Sequence, residues 1–324
     1  MKTFSFGYLP DPPDHRDYKL KSFTLTNYPS SVDLGEFLQP IKNQGTLGAC
    51  TAFATTAMVE YVRNKQKLLT WDASPLFTYY STRKIENTID IDSGAYVRDA
   101  LKSVVDDGVA KETTWPYVVE NFTTNPPTSA WEEAEKHQAL VYYRLDQTKE
   151  QILGCLSDGY PFTFGAYLYE SFIKTQTGFL IHNVVPMPNK NSEKLIGGHC
   201  MLAVGYLSAS ESNITISVRN SWGTDVGLGG YHNIPLNYFL DPTLSMDFWT
   251  IRSEERTDED PSPLPPKPEP INPPAPPKPE PINPPAPPEP VIPPDENANK
   301  SIWKSPLTYF MLLFALLTLI FCLL

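Results

Sequence analysis

The order of apolar and polar positions divides the chain into stretches of different kind. Over residues 49–65 apolar side chains such as Phe53, Met58, Val59, Tyr61 and Val62 stand on nearly every side, which predicts a buried helix. Residues 74–88 and 96–107 predict two further helices. In the second, Val97, Leu101, Val104 and Val105 fall at helical spacing and Gly108 supplies a stop. After about Gly159 the period changes. Residues 162–167, 199–206 and 214–218 are short and β-rich, and the last alternates strictly. Helices first and strands second predict an α+β arrangement in two lobes. Residues 8–18 are polar and broken by proline, and predict an extended arm lying on the surface as an ordered tail.

The remainder of the chain follows neither period. Nineteen of the 34 prolines lie between residues 261 and 294, and the eleven residues 265–275 recur at 276–286. Proline at this density forbids a helix. Residues 256–300 therefore predict a semi-rigid polyproline II stalk, roughly 100 Å long at about 3.1 Å per residue. It reads as a spacer, with docking of SH3- or WW-type proline-binding domains as the alternative. Residues 306–324 are almost wholly apolar, the length of a bilayer core, and Lys300, Trp303 and Lys304 stand at the entry as interfacial anchors do. The expectation is a single-pass transmembrane helix over 303–324, a tail anchor with the globular part facing the cytosol. Sequons at Asn121, Asn213 and Asn299 would then stay unglycosylated.

Composition narrows the chemistry. With 324 residues, a formal charge of −11 and no basic cluster, binding of a phosphate backbone is not expected, and nucleic acid is no partner. Cys50, Cys155, Cys200 and Cys322 are sparse and show no paired spacing, which argues for a reducing compartment. The first residues form no basic-then-apolar signal peptide. Nothing implies a cofactor or a metal.

Cys50 lies where a glycine-punctuated loop, residues 43–49, enters a small-residue helix. Unpaired N–H groups and about half a positive charge at a helix N-terminus favour a thiolate there. Gln44 can return across the loop to put its amide beside the sulfur as an oxyanion donor. A nucleophilic Cys needs a base, and the base an orienter. His199 follows Gly197-Gly198 and precedes an apolar strand. Twenty-one residues on, Asn220 can accept the imidazole N–H, with Trp222 beside it as a shield.

At these residues the chain resembles the papain family of cysteine peptidases, over about residues 29–253. The resemblance rests on Gln44-Gly45 with Gly48-Ala49-Cys50, on Gly197-Gly198-His199, and on Asn220-Ser221-Trp222-Gly223. It implies the two-lobed papain-like fold, with a helical N-terminal lobe and a β-barrel-like C-terminal lobe over residues 29–255 behind an arm at 1–28. It implies an endopeptidase in which Cys50 is nucleophile, His199 base and then acid, Asn220 orienter and Gln44 oxyanion donor. Cys50 and His199 would rest as a thiolate–imidazolium pair, acting on protein or peptide substrates. Ser93 and Gly94 resemble the family's substrate-pairing strand, and Gly198 and Trp222 would also line the substrate. Leu47 and Thr51 depart from the secreted members, which carry cysteine and tryptophan there, and resemble a bacterial, archaeal and viral branch. So does the arm, Pro10 to Tyr18. Fewer than 30 residues precede the region of resemblance, too few for the long helical prosegment of cathepsins, which argues against regulation by removal of one. Cys155 and Cys200 are expected to be buried packing residues. Two other outcomes remain open: a catalytically inactive, membrane-tethered binding module, and transfer of the acyl group to an amine.

Overall fold

The computed structural model describes residues 4–21, 28–174, 184–208, 213–255, 257 and 260. The expected stalk and membrane segment, and Cys322, lie outside them. Among the described residues no helix is long and apolar enough to cross a membrane.

In chain order the elements are β1 (Tyr8–Leu9), β2 (Ser31–Asp33), α1 (Cys50–Lys65), α2 (Pro75–Glu86), β3 (Ala95–Tyr96), α3 (Val97–Asp106), α4 (Thr128–Ala134), β4 (Ala139–Arg144), α5 (Lys149–Ser157), β5 (Phe162–Tyr169), α6 (Glu170–Lys174), β6 (Leu195–Ser208), β7 (Ile214–Arg219), β8 (Tyr231–Pro235), α7 (Leu236–Leu240) and β9 (Ser245–Glu254). The three helices expected from periodicity are α1, α2 and α3, and α1 is buried continuously from Cys50 to Arg63. The ends of α2 follow from local chemistry. Ser74 caps it by accepting the Phe77 N–H at 3.1 Å, Pro75 takes the first turn, and Asn87 ends it in a left-handed conformation.

The strands form one antiparallel sheet in the order β4-β9-β5-β6-β7-β8, with β2 added on β6. Among the described residues β4 and β8 are not paired with each other, so the sheet of the barrel-like lobe is not closed by hydrogen bonds. Irregular chain covers both edges. Lys19 bridges to Arg144 on β4, and Val184 to Asn233 on β8. Helix α1 packs against β6 and β9, so Cys50 at its first turn faces the middle of the sheet.

The arm departs most from expectation. Residues 10–18 lie along the surface as an ordered tail, as expected, but the chain just before them turns inward. Tyr8 is 5% exposed, and β1 pairs in parallel with β3, the strand that leads into α3. The acidic and basic residues of the arm explain its docking. Asp11 Oδ1 accepts the Arg98 N–H at the start of α3 (3.1 Å), and Asp17 receives both ends of the Arg98 guanidinium at 2.8 Å and Arg144 Nη1 at 2.7 Å. Bidentate, charge-assisted pairs among buried groups hold a chain in one register.

Candidate active site

Helix α1 brings Cys50, and β6 brings His199. Cys50 Sγ accepts the backbone N–H of Cys200, the residue after His199, at 3.3 Å. Asn220 follows β7, and its Oδ1 lies 2.8 Å from His199 Nε2. The orientation of that amide is fixed twice. Its Oδ1 accepts the Ser221 N–H at 2.7 Å, and its Nδ2 lies 3.0 Å from His232 Nε2. An acceptor at Nε2 puts the proton of a neutral imidazole on that nitrogen and leaves Nδ1 bare, an acceptor for a thiol proton. His199 Nδ1 is buried and has no hydrogen-bond partner in the closed site. Trp222 stacks on the imidazole with centroids 4.4 Å apart and an interplanar angle of 23°. It covers the His199–Asn220 bond and keeps water from it.

Gln44 is fixed on both ends. Its Oε1 accepts the Ser221 hydroxyl at 2.5 Å, and its Nε2 donates to Leu47 O at 2.8 Å and to Ser5 O at 3.4 Å. Tyr117 holds its backbone carbonyl at 2.8 Å, and Asp92 receives the Gly48 N–H on both oxygens at 3.0 Å. The loop before Cys50 is therefore rigid where an oxyanion donor has to be.

The cleft is filled by the chain's own arm. Gly7 N–H donates to Gly198 O at 3.2 Å, and Gly7 O accepts the Ala95 N–H at 2.8 Å. Phe6 stands edge-on to His199 (6.2 Å) and to Trp222 (5.9 Å), and Phe4 covers the indole at 4.6 Å. Gly94, at φ +74°, lets the arm approach, since a Cβ there would fall 2.3 Å from Gly7 O. Gly198 meets the arm in the same way. Ser93 does not take part. Its hydroxyl is spent on Thr88 Oγ1 and Gly94 O. Beside Trp222 a groove of about 400 Å³, lined in part by Asn43, Thr46 and Gly223, remains unfilled.

Burial in the covered site works against the expected thiolate–imidazolium pair. Burial pushes the Cys50 thiol up to about 11, against the N–H groups of Cys200, Gly7, Thr51 and Cys50 that favour the anion. Burial likewise pushes His199 down to about 4, opposed by its bond to Asn220. Both groups are fully buried under the arm, and burial favours the neutral pair. The Gly7 N–H of the arm reaches the sulfur and is one of the donors that favour its anion. The arm thus covers the thiol.

Sequence reasoning gave no role to His232, Asp92 and Tyr117, each of which fixes another group, nor to Ser221, which stands inside the Asn220-Ser221-Trp222-Gly223 motif. The partners of all four come together only in three dimensions. Cys155 and Cys200 are free and buried, as expected of packing residues. Among the described residues no group of His, Cys, Asp or Glu is arranged to hold a metal ion.

Comparison with known proteins agrees with this geometry. The family model described as papain family cysteine protease matches residues 28–239. A protein of Acanthamoeba polyphaga mimivirus, described as an uncharacterized peptidase C1-like protein, is 38% identical over 279 residues, covering 76% of this chain and 86% of that one. Chymopapain of Carica papaya is 28% identical over 67% of this chain, which spans 57% of its length. Among solved structures, xylellain, a cysteine protease from Xylella fastidiosa, superposes with a TM-score of 0.71 at 32% identity, over 77% of this chain and 96% of that one.

Proposed function

The chain belongs to the papain family of cysteine peptidases, and we propose that it is a latent endopeptidase whose triad is Cys50, His199 and Asn220. The observation that carries this reading is the His199 Nε2–Asn220 Oδ1 contact of 2.8 Å beneath Trp222, with the Cys50 sulfur held by the next residue of the same strand. When the arm withdraws, water and substrate enter and the proton of Cys50 passes to His199 Nδ1. The thiolate adds to a peptide carbonyl carbon, and the oxyanion is taken by Gln44 Nε2 and the Cys50 N–H. His199 then gives its proton to the leaving amine as the C–N bond breaks. Water, deprotonated by the same imidazole, adds to the thioester and releases the acid and the thiol. Asn220 keeps the ring in the tautomer that can do both.

Around this core, residues 256–300 are a proline-rich stalk and residues 303–324 a membrane-spanning helix. The uncharged, almost wholly apolar run and the flanking Lys300, Trp303 and Lys304 support membrane attachment, with the peptidase on the lysine side. The stalk carries the peptidase toward protein or peptide substrates, and its PPII repeats suit SH3- or WW-type domains. The alternative of an inactive binding module is disfavoured by the intact set of Cys50, His199, Asn220 and Gln44.

Incubation of the full chain with an epoxide inhibitor of cysteine peptidases tests the reading by intact mass. The expected result is a single adduct, slow to form under the arm and absent from Cys50→Ala. Modification at another cysteine, or none after prolonged exposure of the folded chain, would overturn it.

A further inference from the structure

The residue after Gly7 shows what the cleft is shaped to hold. Tyr8 lies in a slot cut between β5 and β6 by two glycines. A Cβ on Gly165 would fall 2.0 Å from the ring's Cζ, and one on Gly198 would fall 3.0 Å from Cδ1. Tyr167 closes one side, edge-on at 6.2 Å. At the floor, Asp247 Oδ2 accepts the Tyr8 hydroxyl at 2.6 Å and the Asp11 N–H at 2.8 Å, while Oδ1 accepts Arg144 Nη2 at 2.9 Å. Asp247 is 3% exposed and sits at φ +55°, so the backbone is bent to aim a carboxylate into the slot. When the arm leaves, Oδ2 loses both donors, and a buried carboxylate oxygen without partners is costly.

Resting on the peptidase reading above, we propose that this slot selects the substrate, that it takes a tyrosine side chain, and that Asp247 is the specificity-determining residue. The width set by Gly165 and Gly198 admits a flat ring, and the depth places a phenol hydroxyl on Oδ2. Charge decides against a guanidinium of similar reach. Asp247 Oδ1 is already paired with Arg144 Nη2 at 2.9 Å, so one cation already balances the carboxylate at the floor. A second cation would meet a paired carboxylate, whereas tyrosine supplies the donor missing at Oδ2 without charge. A site built to hydrogen-bond one group discriminates strongly against the analogue that lacks it.

The test uses the full chain carrying Gly7→Val, which expels the arm, and three fluorogenic peptides. They are identical except for tyrosine, phenylalanine or arginine one residue on the acyl side of a scissile glycine. Tyrosine is expected to exceed phenylalanine in kcat/KM by about 10- to 100-fold, as a hydrogen bond to a buried charge allows. In a Gly7→Val/Asp247→Gly chain, which keeps the left-handed backbone and removes the acceptor, the ratio falls to about one. Equal rates for tyrosine and phenylalanine with Asp247 present, a ratio that persists in the glycine variant, or arginine as the best substrate would each overturn the proposal. Failure to cut any of the three while Cys50 still takes the epoxide overturns the slot alone. Failure of both overturns the peptidase reading with it. Should Gly7→Val not fold, Arg98→Ala frees the arm by a different route and serves the same comparison.

Discussion

A single substitution in the arm should convert the covered enzyme into an open one. A Cβ at Gly7 would fall 1.8 Å from Gly48 O and 2.3 Å from Gly48 C. That wall cannot retreat, because the Gly48 N–H is held by both oxygens of Asp92 at 3.0 Å and Gly48 leads directly into the catalytic helix. In Gly7→Val the arm has to leave the cleft. Overpacking of this kind costs about 1–3 kcal/mol. The two backbone bonds that leave with it, Gly7 N–H to Gly198 O and Ala95 N–H to Gly7 O, contribute about 0.5–1.5 kcal/mol each. Those bonds are lost on opening in both chains, so the overpacking alone shifts the ratio of covered to open chains, by about 5- to 150-fold at about 1.4 kcal/mol per tenfold. Initial rates on a fluorogenic peptide, wild type against Gly7→Val at equal active-site titre, give the increase. A folded Gly7→Val chain no faster than wild type would refute the claim that the arm holds the enzyme closed.

Other consequences follow from the same contacts. Arg98→Ala breaks a buried ion pair, 2.8 Å to Asp17, of a kind whose breaking costs about 3–5 kcal/mol; peptidase activity rises while arm residues become sensitive to limited proteolysis. In the Gly7→Val background, Gln44→Ala lowers kcat by about 100- to 1,000-fold with little change in KM, the measure of a lost oxyanion donor. In the same background Asn220→Ala loses one hydrogen bond to the imidazole and lowers kcat by about 2- to 10-fold.

How much of this was legible in the sequence depends on how local each signal is. Cys50 is marked by its own loop and helix, and the helical period of α1 to α3 and the alternation of β7 are short-range. His199 and Asn220 stand out because glycines and strands frame them. The docking of the arm was not legible because its partners are distant. Nothing near Tyr8 in sequence announces Asp247, 239 residues on, and Asp17 meets Arg98 and Arg144 only after folding. A polar, proline-broken stretch has the composition of a surface tail, and its carboxylates lose that character once paired with buried arginines. The effect of the cover on protonation was hidden for a related reason. Helix position favours the thiolate, but the covering arm removes the water that would stabilise the charges, and desolvation wins.

That balance of charge gives the most direct test of a triad held closed by its own chain. The rate of Cys50 alkylation by iodoacetamide, read by intact mass across pH, reports when the sulfur becomes an anion. Burial raises the thiol, so in the wild-type chain alkylation stays slow through neutral pH and climbs only toward about 11. In Gly7→Val, where water and the imidazole reach the sulfur, the rise moves to well below the ordinary thiol range. Coincident profiles for the two chains, or a wild-type profile already saturated at neutral pH, would contradict it.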